Sequence, residues 1–546
     1  MKTKRALAGA ALGALLTAPL ISLLWLGRQA LALSFPPFSM FNTMTRLLPG
    51  PVITFGIDSM ISTLRLLGID VAATAKTAEQ VMAVLMFWAG GILLGAAVSL
   101  VLARFDRAPL GTAGPLVGVV FGLPGAAITL LSGDLTAGLV PNLIFLTVLF
   151  LVWGTTLTFS LKRVTGFQES ESQPEEKESA PQAHRLNRRQ FLVTLGASTA
   201  TLTIAGAGLG QLFTRSRSAQ GPTTGTGPSP TPLGPNGEPL PNADAVVQPV
   251  PGTRPEYTPV EDHYQVFIEL TPEDIEESEW TLPLTGLVDQ EMEFTLDELR
   301  ENFTARNQYV TLSCISGRIP TSLISTTYWT GVSVQDLLDE AGVKEEAQYL
   351  YIESADGFYE IVSLDLIYSD PRIMFCYGWD GKPLPKDHGF PLRIWIPDRF
   401  GMKQPKWITN LEVVSAYQPG YWVERGWDKE ALIKTRSVVD TVAVEESYQE
   451  GGQRLIPLGG IAFGGARGIS RVEVRIDEGE WRKADLRSPL SDTTWVIWRY
   501  EWPFQAGEHT FAVRTFDGQG EMQTLETSPA RPDGASGLHS ISRDIA

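Results

Sequence analysis

Cysteine is nearly absent from these 546 residues: Cys314 and Cys376 are the only two. Two thiols make at most one bridge, so neither a disulfide scaffold nor a four-thiolate metal site can be built from this chain. Histidine is almost as scarce. His184, His263, His388, His509 and His539 are the full set, and none lies in an apolar run, which excludes a membrane haem held by two histidines of this chain. There is no Cys-x-x-Cys-His, so no attached c-type haem is expected. Electrons moved by this protein would pass to another one. Positive charge is also in deficit, with 44 Lys and Arg against 61 Asp and Glu and a net charge of -17. Binding a phosphate backbone depends on Lys and Arg displacing counterions, so no nucleic-acid partner is expected.

What is present is unevenly spread. The first two hundred residues are apolar and poor in charge, and the acidic balance belongs mostly to the rest. Crossing about 30 Å of hydrocarbon takes about 20 apolar residues, and runs near 6–27, 80–103, 112–132, 139–161 and 190–213 meet that need. The segment 51–69 is amphipathic and carries Asp58 and Arg65, which places it at the interface rather than across it. Lys2, Lys4, Arg5, Arg104, Arg107, Lys162, Arg163, Arg185, Arg188 and Arg189 all fall on one side of an alternating five-span topology. By the positive-inside rule that side is cytoplasmic, and the C-terminal half lies outside. Arg28, Arg46, Arg65 and Lys76 are a mild exception in an outer loop. The run Asn187-Arg188-Arg189-Gln190-Phe191-Leu192, followed by small apolar residues, resembles a twin-arginine export signal. It also reads as a plain positive flank on a helix. With no good small-x-small cleavage site after it, it is expected to stay as an anchor.

Composition divides the chain further. Residues 1–164 are the membrane region, 165–215 a solvated cytoplasmic linker plus the fifth span, and 216–256 a Pro/Gly/Thr-rich flexible tether. From 257 to 436 short strands, turns and short helices alternate with no regular βαβ period, which predicts an α+β domain. Strands are expected at 280–287, 309–313, 349–353 and 373–377. Helices are expected at 295–302, opened by Thr295 with Glu298 three residues on, and at 334–341, closed by Gly342. In 437–546 the runs 471–476 and 509–514 alternate with period two between Gly/Asp turns and predict a small antiparallel sandwich.

Two clusters carry candidate chemistry. Cys314 leaves its strand beside Gly317 and Arg318, where a thiolate can be exposed and steadied by positive charge. An inert thiol or a Cys314–Cys376 bridge is the plainer alternative, and Cys376 reads as a buried strand residue. Downstream, 387–393 and 401–407 gather His388, Arg393, Lys403 and Lys406 among glycines, a suitable kit for gripping a phosphate. Taken alone, the same stretch reads more readily as a charged loop between strands.

Together these stretches resemble the sulfite oxidase family of molybdopterin-dependent oxidoreductases, in a membrane-anchored bacterial form. Gly381-Lys-Pro-Leu-Pro-Lys-Asp-His-Gly-Phe-Pro-Leu-Arg393, then Pro397, Gly401 and Lys406-Trp407, are similar to its cofactor-binding core. Cys314, the run 323–331 and Asp336-Leu-Leu match its cysteine loop and following helix, with order and spacing agreeing along 260–435. The resemblance implies a molybdenum–molybdopterin cofactor with Cys314 as metal ligand. His388, Arg393, Lys403, Lys406 and Thr326 would hold the pterin and its phosphate, and Arg318 would lie near the metal. Trp427 falls where the family carries an active-site tyrosine, and 264–268 where it carries a substrate-binding arginine, so sulfite does not carry over as the substrate. For 437–546 the resemblance implies an immunoglobulin-like dimerisation domain, hence a possible homodimer. The expected activity is oxygen-atom transfer on a small oxyanion or sulfoxide outside the cytoplasmic membrane, with an external electron carrier, a cytochrome or a quinone. The alternative is a non-catalytic receptor on the same scaffold.

Overall fold

The computed structural model describes residues 2–66, 71–102, 110–132, 137–165, 188–217 and 234–545. Arg104, Arg107, the expected linker after residue 165, and the 218–233 portion of the tether lie outside those residues. The chain forms two compact units, one of residues 1–63 and 74–226 and the other of 64–73 and 227–546.

Apolar runs with few breakers make the first unit helical: α1 (Lys2–Leu31), α2 (Pro36–Leu47), α3 (Gly50–Leu66), α4 (Val71–Leu102), α5 (Leu110–Ser132), α6 (Leu139–Thr165) and α7 (Arg188–Arg217). Among the described residues three helical stretches are long and apolar enough to cross a membrane: Thr3–Leu31, Lys76–Leu102 and Leu139–Val164. The other two expected spans contain shorter apolar helices, Ala113–Ile128 and Val193–Ala205. Glycines permit the closest approaches. A methyl group at Gly118 would come within 2.3 Å of the Phe150 carbonyl, and one at Gly154 within 2.3 Å of the Gly118 nitrogen, so α5 and α6 touch backbone to backbone. Leu93, Leu123, Ile144 and Val148 point outward.

The second unit opens with β1 (Leu282–Gly286), β2 (Met292–Phe294), α8 (Leu296–Asn302), β3 (Arg306–Ser313), β4 (Ile324–Ser333), α9 (Val334–Ala341), β5 (Tyr349–Ser354) and β6 (Tyr359–Ser363). It continues with α10 (Leu364–Ser369), β7 (Met374–Trp379), β8 (Lys382–Pro383), β9 (Arg393–Trp395) and β10 (Ile408–Val414). One sheet runs β2-β1-β10-β5-β6, and another runs β3-β4-β7-β8 with β9 on β7. Only β1–β10 is parallel among these pairs, so this is the mixed α+β architecture expected. Leu284, Leu296, Leu337, Leu350, Phe375 and Ile394 fill a core shared by both sheets and helices. Thr295 caps α8 in a reciprocal capping box with Glu298, and Gly342 ends α9 at φ +70. The first strand begins at Leu282 rather than 280, because Trp280 closes a short turn and its indole donates to the Ile408 carbonyl at 2.9 Å.

The remainder is β11 (Arg436–Val442), β12 (Tyr448–Glu450), β13 (Gln453–Phe463), β14 (Ile469–Ile476), β15 (Arg482–Lys483), β16 (Asp485–Leu486), β17 (Val496–Pro503), β18 (Gly507–Asp517) and β19 (His539–Ile545). The sheet β11-β13-β17-β16 and the sheet β15-β14-β18-β19 enclose Ile456, Leu458, Val474, Trp498, Phe511 and Val513. Every pairing in them is antiparallel. A further cluster joins Ile315, Phe400 and Met402 to Val438, Ile461 and Ile497. The cysteine loop therefore packs against the sandwich.

The tether differs from expectation where it is described. Its last residues are fixed by buried polar contacts: Arg487 pairs with Glu256 at 2.8 Å and donates to the Asn242 and Val247 carbonyls, while Arg254 pairs with Asp440 at 2.7 Å. Composition alone could not reveal this, since the partners lie some two hundred residues downstream.

Candidate cofactor site

Strand β3 carries Cys314 out of the sheet into a tight turn, held by its N–H to the Leu323 carbonyl (3.0 Å) and by the Gly317 N–H to its own carbonyl (3.3 Å). The sulfur lies 3.1 Å from the Ser316 hydroxyl, and the residue is only 9% exposed. That is more enclosed than the exposed thiolate expected, because the apolar cluster around Ile315 draws the loop inward. Cys314 and Cys376 are both free thiols, which removes the bridge alternative. Burial raises the Cys314 thiol, opposed by Ser316 and by the Arg436 guanidinium. Cys376 is fully buried in β7, and burial pushes its thiol far up. It is an inert core residue.

The cationic stretch folds back on itself. The Ile394 N–H bonds the Pro405 carbonyl (3.1 Å) and the Ile408 N–H bonds the Leu392 carbonyl (3.0 Å), laying 389–394 beside 405–408. Gly389 is required at the crossing, since at φ +110 its added methyl would sit 3.0 Å from Lys406 Cβ and 3.2 Å from Arg393 Cβ. Arg393 is 3% exposed, donates to the His388 carbonyl at 2.9 Å and lies over the Trp329 ring at 4.5 Å. Lys406 Nζ lies 4.7 Å from the Phe267 ring centroid and 4.4 Å from that of Trp407.

A residue missed by the sequence reading completes this cradle. The His263 ring meets the His388 ring edge-to-face at 5.1 Å, and Trp379 packs against both. Nδ1 of His263 faces the Tyr264 carbonyl at 2.9 Å, so it carries the proton and leaves Nε2 as the second site. Burial, then the Arg393 and Lys406 charges, lower His263 to about 3; burial, then His263 and the same cations, hold His388 far below its ordinary value. Nε2 of both rings and Nε of Arg393 are buried with no partner inside the chain. Buried polar atoms are ordinarily paired; Nε of Arg393 and Nε2 of His388, in its Nε2–H form, can donate to a phosphate oxygen beside Lys406, while Nε2 of His263 can accept from a protonated one.

Tyr264 links the two clusters. A methyl at Gly401 would lie 3.3 Å from its hydroxyl and 3.6 Å from the Ser313 carbonyl, which sets the ring between the loop of 401 and the cysteine strand. Burial and Cys314 raise its hydroxyl well above the ordinary value, while Arg393 and Arg436 act against them. One residue thus feels both ends of the site. Arg436, the first residue of β11, donates to the Ser313 hydroxyl and is 4% exposed. No sequence signal marked it.

The other expected residues are placed variously. Arg318 is exposed and lines a small cavity with Arg436 and Arg254. Trp427 packs against the Ile315 cluster with the Arg531 guanidinium over its ring at 4.7 Å. Lys403 is committed to Glu360 in a buried pair at 2.6 Å. Thr326 is fully buried, 2.6 Å from the Thr311 hydroxyl, and stitches β4 to β3. Neither of these two joins the cradle's contacts. Among the described residues no three His, Cys, Asp or Glu side chains gather around a common point. A metal here needs a carrier that brings its own ligands, and the cradle suits the phosphate of such a carrier.

Residues 269–422 match the family model of the oxidoreductase molybdopterin binding domain. A nitrate reductase [NAD(P)H] of Hordeum vulgare is 28% identical over 334 residues, which is 50% of this chain and 37% of that protein. A nitrate reductase [NADPH] of Fusarium oxysporum is 29% identical over 270 residues, 40% of this chain and 29% of that one. The chain thus spans about a third of the length of the curated relatives it matches. Among solved structures, the sulfane dehydrogenase SoxCD of Paracoccus pantotrophus matches at 18% identity and a TM-score of 0.47, over 61% of this chain and 98% of that one. Residues 269–422 are an oxidoreductase molybdopterin-binding domain of the sulfite oxidase family, and molybdenum–molybdopterin is the cofactor this chain is built to hold.

Proposed function

We propose that the chain is a membrane-anchored oxidoreductase, active outside the cytoplasm, that transfers an oxygen atom to or from a small oxyanion or sulfoxide. One observation carries the reading: an unbridged cysteine and a cradle holding the buried, unpartnered ring nitrogens of His263 and His388 and Nε of Arg393 meet at Tyr264. Molybdenum–molybdopterin, when bound, supplies two-electron oxygen-atom transfer. The chain's own residues do the rest. Cys314 offers one soft sulfur ligand. Arg393, His388, His263 and Lys406 hold the phosphate end and fix the orientation of the group. Ile315, Phe400 and Trp427 keep bulk water from the cysteine side. Lys403 supports the loop of 401–406 through Glu360 rather than by touching the cofactor, and Thr326 supports the cysteine strand.

The apolar helices anchor the chain, the positive flanks set its orientation, and the twin-arginine-like run marks export of a folded, loaded domain. The C-terminal sandwich is read as immunoglobulin-like and as the pairing surface of a homodimer. Electrons leave or arrive through an external carrier, a cytochrome or a quinone. The test is direct. Full-length protein from cofactor-competent cells is analysed for molybdenum and pterin, then assayed with sulfite plus an acceptor and with nitrate or sulfoxides plus a donor. Molybdenum far below one atom per chain would instead favour a binding protein on an inactive scaffold.

A further inference from the structure

A cavity of about 260 Å³ opens in the α+β domain beside β5, β6 and α10. Cys314, His263, His388, Arg393 and Lys406 take no part in its lining, so it is separate from the cofactor cradle. Val362, Leu366 and Ile396 give it an apolar floor, and Tyr349 and Tyr417 flank it with their ring centroids 5.7 Å apart. Lys403 reaches its wall, and Arg399, Lys429 and Glu430 complete its lining.

The charges around it are unevenly paired. Lys403 is settled by Glu360 at 2.6 Å. Arg399 and Lys429 both depend on Glu430, at 3.8 Å and 4.0 Å, too far for a hydrogen bond, and Glu430 is 58% exposed. The Arg399 side chain is itself largely enclosed. Its guanidinium donates to the neutral Asp398 carbonyl at 3.4 Å, while the Asp398 carboxylate is spent on Arg467. A guanidinium drawn that far from water is costly without a close counter-charge, and the enclosed Arg487 has one at 2.8 Å. Lys429 Nζ lies 4.2 Å from the Tyr417 ring centroid, which sets the ammonium against the cavity wall. The hydroxyl of the same tyrosine is buried with no partner inside the chain. Burial, then the Glu360 carboxylate, raise that hydroxyl above its ordinary value, so at neutral pH it is a protonated donor waiting for an acceptor.

Two cations sharing one distant carboxylate leave a positive charge over, and an orphaned O–H points to the same need. Both are met by a carboxylate. The apolar floor and the two rings suit a flat hydrocarbon body behind it, and an apolar cavity of roughly 150 Å³ already takes up benzene. Apolar walls with a few polar groups are the usual makeup of a small-molecule site. We propose that this cavity is a second ligand site, for a small organic acid with a flat apolar body. Arg399, Lys429 and the Tyr417 hydroxyl hold the carboxylate, and Val362, Leu366 and Ile396 receive the body. The site stands whether or not the oxygen-transfer reading does.

The probe is benzoate, titrated calorimetrically into the full-length loaded protein in lipid nanodiscs, with empty nanodiscs as the blank. Benzyl alcohol and acetate are the uncharged and body-less comparisons. Benzoate should bind once per chain and about tenfold or more tighter than either. Lys429→Gln, at a half-exposed position, should weaken benzoate about tenfold with molybdenum content, pterin content and turnover unchanged. Tyr417→Phe, which keeps the ring and loses the donor, should weaken it several-fold. Arg399→Gln should weaken it most, and the other two variants decide if that one fails to fold. No benzoate binding would overturn the site by leaving a merely hydrated cavity. Benzyl alcohol binding as tightly would overturn it by leaving the cations without a role. Affinity indifferent to all three changes, or binding to the cofactor-free protein alone, would overturn it by placing benzoate elsewhere. Benzoate bound as expected to a chain without turnover would sink the proposed function and leave this site standing.

Discussion

Replacing Arg393 by Met should have opposite consequences in the cofactor-free and loaded protein. Burial lowers the guanidinium from 12.5 to about 10, which at neutral pH is a folding cost of roughly 3 kcal/mol that the substitution removes. Against this stand the hydrogen bond to the His388 carbonyl, worth about 1 kcal/mol, and the contact with Trp329, worth about 2 kcal/mol when desolvated. The cofactor-free chain should therefore keep its stability to within about 1 kcal/mol. The loaded protein loses a charge-assisted partner of the phosphate, about 1.5–3 kcal/mol, and the cofactor should bind about 10- to 100-fold more weakly. Thermal melts of protein from pterin-deficient and pterin-competent cells, with pterin content measured alongside, separate the two effects. Arg487→Met is the control. It strands Glu256 in the interior and should destabilise both forms by about 3–5 kcal/mol. If Arg393→Met lowers the cofactor-free melt as much as that control does, Arg393 is a structural residue and the cradle is misassigned.

Cys314→Ser should retain pterin, measured by fluorescence after release, and lose turnover; unchanged turnover removes the sulfur from the chemistry. Lys403→Met should cost about 3–5 kcal/mol by leaving Glu360 uncompensated, and adding Glu360→Gln should recover most of it with pterin content intact. A pterin loss that persists in the double variant returns Lys403 to the cofactor. His263, lowered to about 3 in the fold, takes up its proton more readily unfolded. The cofactor-free protein should therefore lose stability as pH falls below about 6.5, by up to about 1.4 kcal/mol per unit from this group. Denaturant melts of His263→Gln across that window should show a shallower acid slope, and an identical slope refutes the assignment.

Local signals made much of the fold readable. Thr295 with Glu298 and Gly342 announced both ends of short helices through their own backbone requirements. Period-two alternation announced the sandwich strands, although β18 runs to Asp517, well past the clean alternation. The site was readable where its residues are neighbours in sequence, as in 387–393. It was not readable where direction is set from afar. Lys403 and Lys406 lie three residues apart on an irregular loop with no period to tell them apart, and only Glu360 draws one inward. His263 and Arg436 reach the site from opposite ends of the domain, each looking like an ordinary loop or strand residue until the sheets bring them in. The contacts that fix 242–256 were unreadable for the same reason, because Pro and Gly content says nothing about a distant Arg487.

The ordered strap from Asn242 to Glu256 sets a boundary for cutting the molecule. Arg487 grips both ends of that strap from inside the sandwich. A water-soluble version starting at Gly234 would keep the grip, and one starting at Thr258 would open a hole around a lone guanidinium. A protease nick just upstream of the strap should release an intact soluble half; one within it should loosen the sandwich before it frees anything.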